Sequence, residues 1–302
     1  MEKLQYGEVD MVKALDYAIR NYENKEFCIE SGYDIPGKDL FWNYLSKKSW
    51  SAFLAEMSKL HQAQYKDGDG GELEEKNSPH GINPPKMASF GSSSRFIYRL
   101  SHNIPDFAFE KHLPTRVGHT ANLDGYLDKG STIYCVEAKC REIYYSHKKI
   151  KVSTIYEDVY KRISGLSYDD FPIKDDIVHR KYTFQYDGEK LAHFDIKQLI
   201  CHFLGITADV LENRRDGVAI RFIYLIFNPK LETLFTKEIE RYKERIFKQY
   251  DETIGEITRF GDMKRLFETI MEYQTENLGR PIVDYSFDFK LVDQKGYINE
   301  LK

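Results

Sequence analysis

The sequence predicts an α/β fold with a mixed sheet, on three observations. Apolar residues recur at helical spacing up to residue 66, the period drops to two from Asp106, and Val218 to Phe227 (VAIRFIYLIF) is an almost wholly apolar run of strand length. In the opening part, Met11, Leu15, Ala18, Ile19 and Tyr22 share one helical face, and Trp50, Phe53, Leu54, Met57 and Leu60 share another. Two or three amphipathic helices are therefore expected there, divided by the Gly/Pro turn Gly32 to Asp39 and followed by a loop from Asp67 to Pro85. A short helix starts at the Ser92-Ser93-Ser94 cap, carries Phe96, Ile97 and Leu100, and stops at Asn103 and Pro105.

Three strand-like runs follow, Phe107 to Leu113, Ala121 to Leu127 and Thr132 to Cys140, and they read as a meander. Residues 146 to 190 are polar and irregular, with one helix near Tyr156 to Ile163. A helix over Phe194 to Leu211, the apolar strand, and two polar helices, from about Leu234 to Tyr250 and from about Met263 to Asn277, complete the chain. The order helix, three strands, helix, strand gives a core over 86–230, with a helical region and loop over 1–85 and a helical region over 231–302.

Composition narrows the function. With 44 Lys and Arg against 48 Asp and Glu in 302 residues, the net charge of -4 excludes a histone-like carpet of positive charge. Nucleic-acid contact must come from a local basic patch. No apolar run is long enough to span a bilayer, and the polar N-terminus is unlike a signal peptide, so no membrane partner and a cytoplasmic location are expected. Four cysteines without a C-x-x-C pair suit that reducing compartment.

Several motifs fail on chemistry. Gly32 to Lys38 fits the phosphate-loop spacing, but Asp39 stands where a magnesium-binding hydroxyl belongs and Pro36 removes a backbone donor. Asp67 to Glu72 hints at a calcium loop, yet Glu72 replaces the sixth-position Gly and Ser78 the twelfth-position acid. Neither a G-x-S-x-G elbow nor an H-E-x-x-H or H-x-E spacing occurs.

One constellation survives. Strands Ala121 to Leu127 and Thr132 to Cys140 are joined by Asp128-Lys-Gly-Ser131, a tight turn with Gly130 available for positive φ. Centring the hairpin on Lys129-Gly130 sets Asp124 opposite Cys135 and Asn122 opposite Glu137. Asp124, Glu137 and Lys139 then point the same way, with the two acids diagonal neighbours roughly 7–8 Å apart at the backbone. Charged residues amid Ile133, Val136 and Ala138 are costly to bury unpaired. A magnesium ion, which takes oxygen ligands, would pair them, and Lys139 could orient water or offset charge on a phosphorane.

Asp124 followed by Glu137-Ala138-Lys139 across a hairpin resembles the D…(D/E)-x-K signature of the PD-(D/E)XK nuclease superfamily. The resemblance covers about 140 residues and is strongest over 107–140; Leu123 stands where the family usually has Pro. It implies a restriction endonuclease-like core, with Asp124 and Glu137 as magnesium ligands, manganese as a substitute, and Lys139 beside the attacking water. It also makes Glu110 a candidate third acid, and Gln198 a supporting residue, with His202 where some members carry Tyr. The tripeptide alone is weak, since E-x-K also occurs at Glu23 to Lys25 and Glu74 to Lys76. A second reading of Gln198 is structural: Asp195 with Gln198 forms a capping box.

Arg141, Lys148, Lys149 and Lys151, interleaved with Tyr144, Tyr145 and His147, form the best local basic patch for a DNA backbone. Pro84 to Arg95 is a second candidate phosphate-contacting edge. The expected function is a magnesium-dependent deoxyribonuclease, an endonuclease of restriction or defence type; a homodimer is left open. The alternatives are a non-catalytic nucleic-acid-binding module on the same fold and a protein-interaction module.

Overall fold

The computed structural model describes residues 8–27, 30–68, 71–79, 81–144, 150–164, 173–174, 181–184, 194–213, 215–232, 235–237, 239–259 and 262–301. Helix α1 (Glu8–Phe27) leads into hairpin strands β1 (Ser31–Tyr33) and β2 (Phe41–Leu45), then α2 (Lys47–Glu56) and α3 (Lys59–Asp67). A second short hairpin, β3 (Lys76–Ser78) and β4 (Gly81–Asn83), precedes α4 (Ser93–Ser101), β5 (Ala108–Pro114), β6 (Thr120–Asp128) and β7 (Thr132–Lys139). Next come β8 (Ile150–Ser153), α5 (Glu157–Ser164), β9 (Ile173–Lys174) and β10 (Lys181–Phe184). The chain closes with α6 (Ile196–Glu212), β11 (Val218–Ile226), α7 (Pro229–Glu232), α8 (Lys243–Arg259), α9 (Met263–Leu278), β12 (Tyr285–Val292) and α10 (Gln294–Leu301).

The main sheet has the order β12-β11-β7-β6-β5. Strands β5, β6 and β7 form the antiparallel meander, while β7, β11 and β12 run parallel, so the sheet is mixed. The antiparallel part needs only tight turns, whereas the parallel step from β7 to β11 needs a crossover that includes α6. Helix α4 packs on β6 and β7, and α6 packs on β5 and β6. Alternation separates the two helices: Gly125, paired with Val136, abuts Ile97 of α4, while Lys139 reaches Gln198 of α6. The helices thus cover opposite faces of the sheet. One cluster of buried apolar side chains runs from Met11 to Leu301, with Phe203, Phe222, Phe267 and Phe287 packed ring to ring between α6, α9 and the parallel strands.

Three expectations need correction. The N-terminal region is not purely helical, because extended residues flanking the Gly/Pro turn pair as β1 and β2, and Trp42 of β2 stacks on Tyr17 of α1 with ring centroids 3.8 Å apart. The C-terminal region contains β12, which pairs in parallel with β11 from Val218↔Tyr285 to Leu225↔Val292. The first C-terminal helix begins at Lys243, after a single 3-10 turn over Glu240–Tyr242 that turns Ile239 and Tyr242 inward. Among the described residues, no helix is long and apolar enough to cross a membrane.

Close approach of α6 to the sheet depends on Gly205. A Cβ there would lie 2.8 Å from the Ala121 Cβ and 2.9 Å from the Leu113 carbonyl oxygen, and the latter belongs to a strand that cannot shift alone. Gly205→Ala should therefore lower stability by roughly 1–3 kcal/mol despite the better helix propensity of Ala. Urea unfolding measures this; unchanged or increased stability would contradict the contact.

Candidate active site

The β6–β7 hairpin closes one step later than its sequence suggested. Gly130 takes φ 77 within the three-residue connection Lys129-Gly130-Ser131, its amide donates to Asp128 Oδ1 at 2.9 Å, and the Lys129 amide donates to the Thr132 carbonyl at 2.8 Å. Tyr126, not Asp124, consequently faces Cys135. Pairing runs from Asp128↔Ile133 to Gly125↔Val136, and the next position brings Asp124 level with Glu137, directly across and not diagonal.

The same row extends in both directions. Pairs Phe109↔Gly125 and Lys111↔Leu123 keep one register, which puts Glu110 of β5 level with Asp124. On the other side, Tyr224 of β11 pairs with Glu137. Three acids, Glu110, Asp124 and Glu137, thus stand in one row across three neighbouring strands.

The ladder is interrupted at this row. Glu110 has φ 50, a left-handed conformation that costs a residue with a Cβ about 1–3 kcal/mol and that clusters at functional sites. Before it, Phe109 stacks on Tyr65 of α3; after it, Leu113 lies against Gly205 of α6, although the two share strand parity. In β6, Gly125 abuts α4 while Ala121 abuts α6, so alternation breaks there too. The Ala138 amide, a β7 donor, is taken by Asp124 Oδ2 at 2.7 Å.

Lys139 and His202 hold Glu137. Its Oε1 lies 2.5 Å from Lys139 Nζ and its Oε2 lies 2.8 Å from His202 Nε2, in a position where Glu137 is 1% exposed. Neither contact has hydrogen-bond geometry, so the carboxylate is neutralised by charge while both oxygens keep unsatisfied lone pairs. Lys139 Nζ spends its directed bond on Gln198 Oε1 at 2.6 Å. Burial alone would raise the Glu137 carboxyl, but Lys139 and His202 outweigh it and bring it down to about 2. For Lys139, burial is opposed by Glu137, Tyr224, Glu142 and Asp124, and the net direction is well upward, which keeps it an ammonium. Asp124 goes the other way: burial first, then the charges of Glu137 and Glu110, push its carboxyl well above the ordinary value of 3.8.

Glu110 Oε1 accepts from Ser94 Oγ of α4 at 3.3 Å, and its carboxylate lies against Gly68 at the end of α3. The Asp195 cap forms, since the Gln198 amide donates to Asp195 Oδ1 at 3.0 Å, while the Gln198 side chain accepts from Lys139. His202, four residues on, is the residue that the spacing pointed to but whose identity concealed its role. Arg141 turns to Asp16, a buried carboxylate 3.0 Å away that also accepts from Asn43. Lys148 and Lys149 lie outside the described residues, and of Lys151 only its backbone place in β8 is described. The Pro84 to Arg95 edge presents no row of cations: Lys86 pairs with buried Glu72 at 2.8 Å, and Arg95 is turned inward to Glu23.

The donor set fits a hard cation. Three carboxyl groups stand in the row, the oxygens of Glu137 have no hydrogen-bond partner, and like-charge repulsion on Asp124 is what a divalent ion would relieve. As the side chains stand, no three His, Cys, Asp or Glu groups among the described residues enclose an ion. Comparison with family models, with curated proteins and with solved structures gives no match to this chain.

The crowding of Asp124 has a consequence for stability. It binds its proton more tightly in the folded chain than in the unfolded one, so folding stability falls as pH rises from 3.8 towards the raised value. Asp124→Asn removes that loss, and its unfolding free energy relative to wild type should grow over this interval, by up to about 1.4 kcal/mol per pH unit. Urea titrations at a series of pH values measure it; a difference that stays flat would contradict the clustering of acids.

Proposed function

We propose that this chain is a metal-dependent nuclease with a restriction endonuclease-like core that hydrolyses DNA phosphodiester bonds. The observation that carries the reading is the row Glu110, Asp124, Glu137, with Lys139 two residues along β7 from the last acid. An acidic row with a buried ammonium beside it suits phosphoryl chemistry, in which negative charge must be both bound and stabilised. Asp124 and Glu137, with Glu110 as the third acid, would hold magnesium or manganese, which supplies Lewis-acid activation of the phosphate and of water.

The chain's own groups divide the remaining work. Lys139 stays protonated beside Glu137, so it serves as a donor that orients water and offsets charge on the phosphorane, and is unsuited to be the base. Gln198 fixes the ammonium from α6, and His202 fixes the Glu137 carboxylate from the next turn. Restriction or defence against foreign DNA is the role such an endonuclease would serve. A non-catalytic nucleic-acid-binding module is favoured by one observation: both Glu137 oxygens are already occupied by neighbours, one by the Lys139 ammonium and one by the His202 ring.

A supercoiled plasmid incubated with magnesium, manganese or EDTA separates the two. The nuclease reading expects nicking or linearisation in either metal and none in EDTA. Asp124→Asn and Glu137→Gln should slow it by about 100-fold or more, and Gln198→Ala or His202→Ala by about 10- to 100-fold. DNA binding without cleavage in either metal would favour the binding module.

A further inference from the structure

Two helices that carry none of the three row acids converge on one of them. Glu110 sits on β5, the strand at one edge of the main sheet, yet it is half-buried and held from both α3 and α4. Ser94, in the first turn of α4, is 7% exposed, and its Oγ donates to Glu110 Oε1 at 3.3 Å. The Ser94 carbonyl in turn accepts from the Tyr65 hydroxyl of α3 at 3.1 Å. Burial first, then the charges of Glu110 and Asp124, push that hydroxyl well above its ordinary range, so it stays a donor close to both acids.

The backbone at Glu110 is held as firmly as its side chain. Gln64 Oε1 accepts from the Phe109 amide at 3.2 Å, and the Tyr65 ring stacks on the Phe109 ring, so α3 fixes the residue just before the left-handed turn. At the end of α3, Gly68 leaves room for the carboxylate, since a Cβ there would lie 3.2 Å from Glu110 Oε2. A left-handed residue with a Cβ persists only where its surroundings over-determine it. Gln64, Tyr65, Gly68 and Ser94 do so from two helices. Gln64 and Ser94 add no apolar surface to the core, and these directed bonds go to one acid and the amide before it.

We infer that Ser94 and Gln64 are positioning residues for Glu110, fixing the third acid of the row where it completes a cation site with Asp124 and Glu137. The inference rests on the proposed cation site and extends it to two helices outside the β5–β7 meander. A polar group that orients a ligating carboxylate lowers the cost of ordering it around the ion, and losing such a partner typically weakens metal binding about 10- to 100-fold.

Manganese titration of the full chain, read by electron paramagnetic resonance of the free ion, tests this without requiring turnover. Ser94→Ala and Gln64→Ala should each weaken manganese binding about tenfold, and Glu110→Gln at least as much. Ser92→Ala is the control for helix stability: the Ser92 hydroxyl caps α4 by accepting from the Arg95 amide at 3.2 Å, so its loss should lower the metal-free unfolding temperature and leave manganese affinity unchanged. If Ser94→Ala fails to fold, Gln64→Ala, at a half-exposed position, carries the test. Wild-type affinity in both Ser94→Ala and Gln64→Ala would overturn the inference and leave the cation site standing. Equal weakening in Ser92→Ala would also overturn it, by reducing the effect to helix stability. Absence of bound manganese in wild type would remove the cation site and this inference with it.

Discussion

Burial of the Glu137 carboxylate governs the centre of this molecule. A carboxylate taken fully out of water is tolerated only when opposite charge accompanies it, and removing one partner of a buried pair typically costs about 3–5 kcal/mol. Lys139 satisfies the requirement from the same strand, and the His202 ring of α6 lies against the other oxygen, so helix and strand must meet at one angle and height. Gln198 then occupies Lys139, and Gly205, two turns beyond it, allows α6 to lie against β5 and β6. The crossover between two parallel strands is thereby tied to the chemistry of one side chain.

The strain around this group is consistent with a site kept for function. A sheet built for stability alone would keep its ladder intact through β5, β6 and β7 and would fill the row with apolar side chains. Here Glu110 adopts a left-handed backbone, Asp124 takes a strand amide with its side chain, and burial, with two further acids, pushes the Asp124 carboxyl upward. Each costs stability, and the two Glu137 oxygens are left without a hydrogen-bond partner.

Much of this was legible in the sequence, for identifiable reasons. Helix α4 followed from its Ser92 cap and apolar spacing, β11 from its two-faced apolar run, and the β6–β7 hairpin from alternation around Gly130. Facing register was not, because composition does not fix where the turn is centred, and moving the centre by one residue moves each facing partner by two. Strand β12 carries a clear alternation of Tyr285, Phe287, Phe289 and Leu291, but it follows two polar helices and pairs in parallel with a strand far back in the chain. His202 was visible at helical spacing from Gln198, yet only the packing of α6 on β7 reveals that it meets Glu137. The inward turn of Arg95 was illegible for the same reason: its partner, Glu23, lies 72 residues earlier.

The account stands or falls on whether the acidic row is a single cation site. Manganese titration followed by electron paramagnetic resonance of the free ion counts bound metal without requiring turnover. The account predicts one bound manganese per chain, lost in Asp124→Asn and retained in Glu72→Gln, which alters a buried acid paired with Lys86 outside the row. Absence of bound manganese in wild type, or equal binding in wild type and Asp124→Asn, would contradict it.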